Sequence, residues 1–304
     1  MRIIKNFLKK QYFRYFLKVK KGKCLFIPHI GICKNDMASI INYKADNCLI
    51  FVRYILDNKL YQDKEIVLVS TTKENAEFEQ RYCNKHYPDA NITIIPDIQY
   101  TTRPYKTAWA EAEYVIVSQI HFPIKKKKGQ QYIVLGYYPV PTKKDWFPPI
   151  KGTWYEHRLE RARETDKVMS ASLVFSQIES SAFEISFGKF AEVGKVRSDV
   201  LSQPEDVSYV RNYFQQLCGD YKFSKIILYP PTHRDYEESK FDIKRSILGF
   251  DVEKSKFEDF LRKKELLIVC KLHPRQNADV VDEDLPKGVI NFKGNRDFGL
   301  VELM

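Results

Sequence analysis

Residues 225–235 read KIILYPPTHRD, a short apolar run that two prolines stop and that polar residues follow. Residues 266–275 repeat this design and read LLIVCKLHPR. A short apolar run bounded by turn-forming residues is typical of a buried strand. In open parallel sheets, ligands bind at the carboxyl ends of the strands, where these polar residues lie. The two stretches therefore predict an α/β sheet with a ligand site at its carboxyl edge.

The same alternation of short apolar runs with helix-like stretches extends over most of the chain. It predicts strands at 24–28, 65–69, 91–95, 114–118, 131–135, 171–175, 225–229, 266–271 and 289–292. It predicts helices at 36–58, 73–86, 204–218, 253–264 and 298–304. Strands that alternate with helices imply parallel sheets with helices on both faces.

The chain divides into three parts on this pattern. A basic segment, 1–23, precedes a first domain, 24–203, and a second domain, 204–304, which the helix at 204–218 opens. The second alternation is about half as long as a complete doubly wound domain. We therefore expect the second domain to be incomplete and the chain to be truncated.

The net charge of +11 is concentrated at the N-terminus. Residues 1–23 hold nine of the 50 Lys and Arg residues and no acid, which leaves 41 basic and 39 acidic residues, or +2, elsewhere. A nucleic-acid-binding domain more often spreads its basic charge over one folded face. We therefore expect no nucleic-acid partner, although a basic chain of this kind keeps that class open as an alternative.

The N-terminal segment predicts an amphipathic helix at 2–19, because its apolar residues recur at spacings of three and four. Its basic residues include Lys5, Lys9, Lys10 and Arg14. A basic and aromatic amphipathic helix suits an anionic membrane surface. The alternative is a helix that packs on its own domain and exposes its basic face to water. No apolar run is long enough to span a membrane.

The six cysteines show no metal-ligand spacing and no C-x-x-C pair. Several lie in apolar runs, so we expect buried, reduced thiols in a cytosolic protein. We expect no metal site and no cofactor.

The polar residues after the two strands suit an anionic ligand. Thr232 can donate a hydrogen bond to a phosphate oxygen, and Arg234 can bind one in a bidentate manner. The alternatives are a salt bridge between Arg234 and Asp235, and a core role for His273.

The motifs that contain these residues are similar to those of a known family. The chain resembles the CDP-glycerol glycerophosphotransferases, the teichoic acid primases and polymerases of bacteria. The family pattern LYAPTxRD is matched at 228–235, with Pro230 in place of Ala, and KLHP is matched at 271–274. The pattern GYPRND is echoed at 194–199, and KKKGQxYxxxWHGTPLKK at 126–144, while Asp46 and Asn47 fit near the start of an early helix.

The resemblance implies a GT-B-like enzyme with two Rossmann-like domains and an active site in the cleft between them. Members transfer glycerol phosphate, or a related polyol phosphate, from CDP-glycerol to a lipid-linked or polymer hydroxyl and release CMP. This implies a role in cell-wall or capsule polymer synthesis. It also implies a peripheral location on the inner face of the bacterial plasma membrane.

Site residues follow from the matched motifs. The resemblance assigns the donor phosphates to Thr232, Arg234 and Arg275, and a catalytic role to His273. It assigns support of the cleft to Arg197, Asp199 and Asp235, and the acceptor phosphate to Lys143.

The chain departs from the family pattern at two places. Tyr138 occupies the position at which the family has a histidine. The resemblance implies that this histidine is the general base that deprotonates the attacking hydroxyl. The chain also stops before the family's TDYSS motif. Two interpretations follow: an active glycerophosphotransferase, or a catalytically impaired, truncated relative that acts only as a binding or membrane-associated protein.

Overall fold

The structure is a computed structural model, and it forms two compact units, Met1–Gln203 and Pro204–Met304. It describes residues 17–29, 39–41, 43–44, 46–96, 102–118, 125–136, 159–160, 162–201, 208–230, 253–271 and 285–292.

The first unit is built on a seven-stranded sheet. Its strands are β1 (Lys20–Ile27), β2 (Glu65–Ser70), β3 (Ile92–Pro96), β4 (Ala112–Val117), β5 (Gln131–Val134), β6 (Lys167–Ser170) and β7 (Phe190–Glu192). The order is β3-β2-β1-β4-β5-β6-β7, and every neighbouring pair is parallel. The strand order reverses between β1 and β4, and such a switch point opens a crevice at the carboxyl ends.

Helices cover both faces of this sheet. The described helices of the unit are α1 (Asn47–Asp57), α2 (Lys73–His86), α3 (Arg103–Glu111), α4 (Leu173–Phe183) and α5 (Val196–Leu201), with a 3₁₀ turn at Phe187–Lys189. One apolar cluster joins α1 and α2 to residues such as Phe26 and Leu68, and a second joins α3 to Leu25 and Val67. Successive residues of one strand thus face opposite layers.

The second unit contains a three-stranded parallel sheet in the order β10-β9-β8. Its described elements are α6 (Ser208–Cys218), β8 (Lys225–Tyr229), α7 (Lys254–Lys263), β9 (Leu266–Cys270) and β10 (Val289–Asn291). The α/β class and the two parallel sheets confirm the predicted fold class. The strands predicted at 65–69, 225–229 and 266–271 lie within one residue of β2, β8 and β9.

The strand predicted at 171–175 is wrong. Strand β6 ends at Ser170, and Ser172 begins α4 by accepting a hydrogen bond from the Phe175 amide. Leu173 and Val174 are 50% and 60% exposed, so this apolar run is not a buried strand. A serine N-cap satisfies a free amide of the first helical turn, and that signal outweighs apolar composition.

The helix predicted at 36–58 begins too early. Helix α1 starts at Asn47, and the residues described between 39 and 44 are not helical. Asp46 has extended backbone angles (φ −135°, ψ 135°), and its side chain caps the helix.

Strand β1 begins at Lys20, four residues earlier than predicted. Lys23 is buried in the sheet, where Glu65 and Glu111 lie 2.5 and 2.9 Å from its ammonium group. The paired carboxylates let a basic stretch enter the sheet. Residues 17–19 are not helical, and the rest of the helix predicted at 2–19 lies outside the described residues, as does the helix predicted at 298–304.

The described cysteines are free thiols. Cys24, Cys48, Cys83 and Cys270 are buried, and Cys218 is half-buried. Burial raises the pKa of Cys24 to about 11 and that of Cys83 to about 12. These thiols therefore stay protonated and unreactive near neutral pH.

Glu79 of α2 is 3% exposed, and burial raises its pKa to about 7, although Ser70 and the Ile40 amide donate to it. The folded chain then holds this proton up to about pH 7, whereas the unfolded chain releases it near 4.5. We therefore expect the free energy of unfolding to fall by about 3 kcal/mol as pH rises between these values. Glu79→Gln should remove that fall, which urea titrations at pH 5 and pH 8 measure. An identical fall in both proteins would contradict the assignment.

Candidate active site

The carboxyl edge of the first sheet carries a buried polar cluster at the switch point between β1 and β4. We call Asp46, Asn47, Ser118 and Gly136 the switch-point cluster. Asp46 is fully buried at 0% exposure. Its Oδ2 accepts from the His29 amide at 2.9 Å, and its Oδ1 accepts from the Ser118 hydroxyl at 2.6 Å.

Asp46 also caps α1. Its Oδ1 accepts from the amides of Cys48 and Leu49 at 2.8 and 3.3 Å. The Cys48 amide donates in addition to the Ser118 hydroxyl oxygen at 3.0 Å. One carboxylate therefore joins the ends of β1 and β4 to the first turn of α1.

Asn47 joins α1 to the segment that follows β5. Its Nδ2 donates to the Gly136 carbonyl oxygen, and the side chain is 2% exposed. Gly136 has a positive φ of 76°, and a Cβ there would lie 2.9 Å from the Met169 carbonyl oxygen. Only glycine fits this contact without strain. Tyr138 and Lys143 follow closely in sequence but lie outside the described residues.

Helix α5 carries two of the predicted site residues, Arg197 and Asp199. The loop before α5 is held at the end of β6, where the amides of Val193 and Gly194 donate to the Ser170 carbonyl at 3.2 and 3.1 Å. Helix α5 contacts α1. Arg197 is half-buried and Asp199 is exposed. The structure thus brings the helix of Arg197 and Asp199 against the helix that Asp46 caps.

A buried ion pair anchors the same loop. Lys195 Nζ lies 3.4 Å from Glu179 Oε1 of α4, and it also lies 5.3 Å from the centre of the Phe175 ring. Burial raises the pKa of Glu179, and the nearby Lys195 ammonium partly opposes that rise. The pair fixes the residue that precedes α5.

In the second unit, β8 and β9 end side by side, because Tyr229 pairs with Cys270 in the parallel register. The two predicted loops therefore leave the same edge of the sheet. Lys271, the residue after β9, is buried, and its Nζ lies 5.7 Å from the centre of the Phe292 ring. The predicted residues of these loops, Thr232, Arg234, Asp235, His273 and Arg275, lie outside the described residues.

The lysine run at 125–128 has structural contacts. Lys126 Nζ donates to both carboxylate oxygens of Asp166, at 2.6 and 2.7 Å. Lys127 Nζ donates to the carbonyl oxygens of Leu17 and Ala110. These two lysines tie the start of β5 to neighbouring segments. The N-terminal residues Lys5, Lys9, Lys10 and Arg14 lie outside the described part of the chain.

Within the described ranges, no group of three or more His, Cys, Asp or Glu side chains is placed to hold a metal ion. None of the helices described combines the length and apolarity that crossing a membrane requires.

The roles of Arg197 and Asp199 stay predictions that rest on the family pattern, as does the attention to Asp46 and Asn47. The sequence did not predict the contacts of Ser118 and Gly136. Two signals in the sequence point to these residues: the aspartate directly before an apolar helical stretch, and the glycine two residues after the apolar run of β5.

Comparisons with known proteins agree with this architecture. A histidine-to-alanine variant of the wall teichoic acid polymerase TagF superposes with a TM-score of 0.66 and 18% identity, over 99% of this chain and 70% of that chain. A TagF variant soaked for 30 minutes with CDPG gives a TM-score of 0.65 and 17% identity, over 99% and 69%. At these identities the likeness establishes the fold, which is GT-B-like.

A search of curated proteins found no match. The sequence model of CDP-glycerol:poly(glycerophosphate) glycerophosphotransferases matches residues 37–303. This match spans most of both units and includes all four motifs of the sequence analysis. The chain therefore belongs to the CDP-glycerol:poly(glycerophosphate) glycerophosphotransferase family.

Proposed function

We propose that the chain transfers glycerol phosphate from CDP-glycerol to a hydroxyl group and releases CMP, in the synthesis of a teichoic-acid-type polymer. The observation that carries the proposal is the family match over residues 37–303. The adjacent ends of β8 and β9 support it, because each is followed in sequence by one of the family's basic motifs.

The reaction exchanges the phosphoanhydride bond of CDP-glycerol for a new phosphodiester bond. The acceptor hydroxyl oxygen forms a bond to the phosphorus that bears glycerol, and the bond from that phosphorus to the CMP oxygen breaks. CMP leaves with the electron pair, and the hydroxyl proton passes to a base. Such chemistry depends mainly on positioning and on charge stabilisation.

The second unit supplies the donor-binding groups in this proposal. Arg234, His273 and Arg275 neutralise the pyrophosphate, and Thr232 donates a hydrogen bond to it. Asp235 orients the neighbouring arginine.

The first unit supplies the acceptor side in this proposal. Tyr138 occupies the position of the base, and Lys143 binds the acceptor phosphate. Arg197 and Asp199 support the site from α5, which contacts α1. The acceptor is a lipid-linked or polymer hydroxyl.

Arg234→Ala tests the donor site. Because a bidentate arginine makes two charge-assisted hydrogen bonds to phosphate, its loss should weaken CDP-glycerol binding at least about 100-fold. Calorimetric titration measures the dissociation constant. Arg262→Ala is the matched control, because Arg262 lies on exposed α7 and pairs with Asp259 at 2.6 Å. Unchanged affinity in Arg234→Ala would remove this residue from the site.

The N-terminal segment places the enzyme on the inner face of the plasma membrane in this proposal. The support is the charge of the residues that precede β1: six basic residues and no acid in residues 1–19. Each Lys or Arg near an anionic surface contributes about 1 kcal/mol. Exchange of Lys5, Lys9, Lys10 and Arg14 for Ala should abolish co-sedimentation with phosphatidylglycerol vesicles at low salt. Equal sedimentation of both proteins would contradict the proposal.

A further inference from the structure

We propose that the side-chain oxygen of Asn47 accepts a hydrogen bond from a hydroxyl group of the acceptor substrate. This inference rests on the proposed function, because it places a polyol acceptor at the switch-point cluster. The ligand class is a hydroxyl-rich chain such as a glycerol phosphate oligomer.

The first observation is an unpaired buried oxygen. Asn47 is 2% exposed, and its Oδ1 has no hydrogen-bond partner among the residues described. Folded proteins rarely leave a buried acceptor without a donor. The oxygen therefore points to a group that binds there.

The second observation fixes the orientation of the amide. Asn47 Nδ2 donates to the Gly136 carbonyl oxygen, which can only accept. Rotating the amide by 180° would bring two acceptors together, so the nitrogen faces Gly136 and the oxygen faces away from it.

The side chains of Asp46 and Ser118 have no proton to offer to Asn47 Oδ1. Ser118 has one hydroxyl proton, which it donates to Asp46 Oδ1 at 2.6 Å. Asp46 is itself an acceptor of four hydrogen bonds, from His29, Cys48, Leu49 and Ser118. Neither residue can therefore pair with Asn47 Oδ1, and the donor must come from elsewhere.

The location suits an acceptor hydroxyl. Asn47 begins α1 at the switch point of a parallel sheet, where ligands bind in this class of fold. Gly136 precedes Tyr138, the proposed base position, by two residues. Asn47 thus links a bound hydroxyl to the segment from which the base is proposed to act.

Calorimetric titration with two probes, a glycerol phosphate oligomer and CDP-glycerol, tests the inference. Asn47→Leu keeps the shape and removes both the acceptor oxygen and the hydrogen bond from Nδ2 to Gly136. We expect it to weaken oligomer binding about tenfold and to leave CDP-glycerol binding within about twofold. The matched control is Asn58→Leu at the opposite end of α1, where the exposed side chain donates to the Tyr54 carbonyl at 2.9 Å. It should change neither affinity.

Every other outcome overturns the inference. Unchanged oligomer affinity in Asn47→Leu means that a water molecule serves the oxygen, and an equal loss for both probes means a purely structural role. If Asn47→Leu does not fold, Asn47→Gln keeps both an amide donor for Gly136 and an oxygen acceptor and should retain oligomer binding, whereas its loss counts against the inference. If the wild-type chain binds CDP-glycerol but not the oligomer, only this inference is contradicted. If it binds neither probe, the proposed function is contradicted as well.

Discussion

Tyr138→His should raise the rate of CMP release by about 10²–10⁴-fold at pH 7, the factor that a well-placed general base supplies. An unperturbed tyrosine has a pKa near 10, so it is a poor proton acceptor at neutral pH, whereas histidine titrates near 6.5. A discontinuous assay with CDP-glycerol and a glycerol phosphate oligomer measures the rate.

The pH profile gives an independent readout of the same change. The rate of the Tyr138→His variant should rise through about pH 6.5 and then level off, whereas the wild-type rate should keep rising towards pH 10. Tyr137→His is the matched control, because it adds the same side chain one position away. Equal rates in all three proteins would mean that the base lies elsewhere.

The second large effect concerns Asp46. Asp46→Ala should lower the free energy of unfolding by about 3–5 kcal/mol, because it removes a helix cap and leaves buried donors unpaired. Those donors are the amides of His29, Cys48 and Leu49 and the Ser118 hydroxyl. Urea titration followed by circular dichroism measures the change.

Glu77→Ala is the control for Asp46→Ala. Glu77 forms an exposed pair with Lys73 at 3.7 Å, and such pairs contribute about 0–1 kcal/mol. If Asp46→Ala and Glu77→Ala unfold at the same urea concentration, Asp46 does not hold the switch-point cluster together.

Local pattern predicted most of the strands because most are short apolar runs, but it did not predict β6 or β7, and β8 is only partly buried, with Ile227 44% exposed. Residues 225–229 form β8 with the predicted bounds, and residues 266–270 form β9 beside it. Because β8 and β9 are parallel, they end at the same edge, as the sequence predicts, while the polar residues that follow them lie outside the described part of the chain.

Local pattern failed where the deciding contact is distant in sequence. Ser118 reaches Asp46 across 72 positions, and Gly136 reaches Asn47 across 89. No periodicity of neighbouring residues encodes such contacts. The predicted start of α1 is wrong for a different reason, because its deciding contact is local: Asp46 caps the helix through the amides of Cys48 and Leu49.

Short helices and single buried charged residues were also not predicted, because they too depend on contacts with distant parts of the chain. Helix α5 has six residues, which is too few to show a helical period, so Arg197 and Asp199 were predicted only through a family motif. Glu79 belongs to a polar helix that predicts exposure, yet it is buried beside Ser70. Its burial depends on how α2 packs against the sheet.

The most direct test of the central claim is calorimetric titration of the whole chain with CDP-glycerol, with a uridine diphosphate sugar as the control ligand. The account predicts saturable binding of CDP-glycerol at one site per chain and markedly weaker binding of the uridine compound. A folded chain that binds neither ligand, or both equally, would contradict the assignment of a CDP-glycerol donor site.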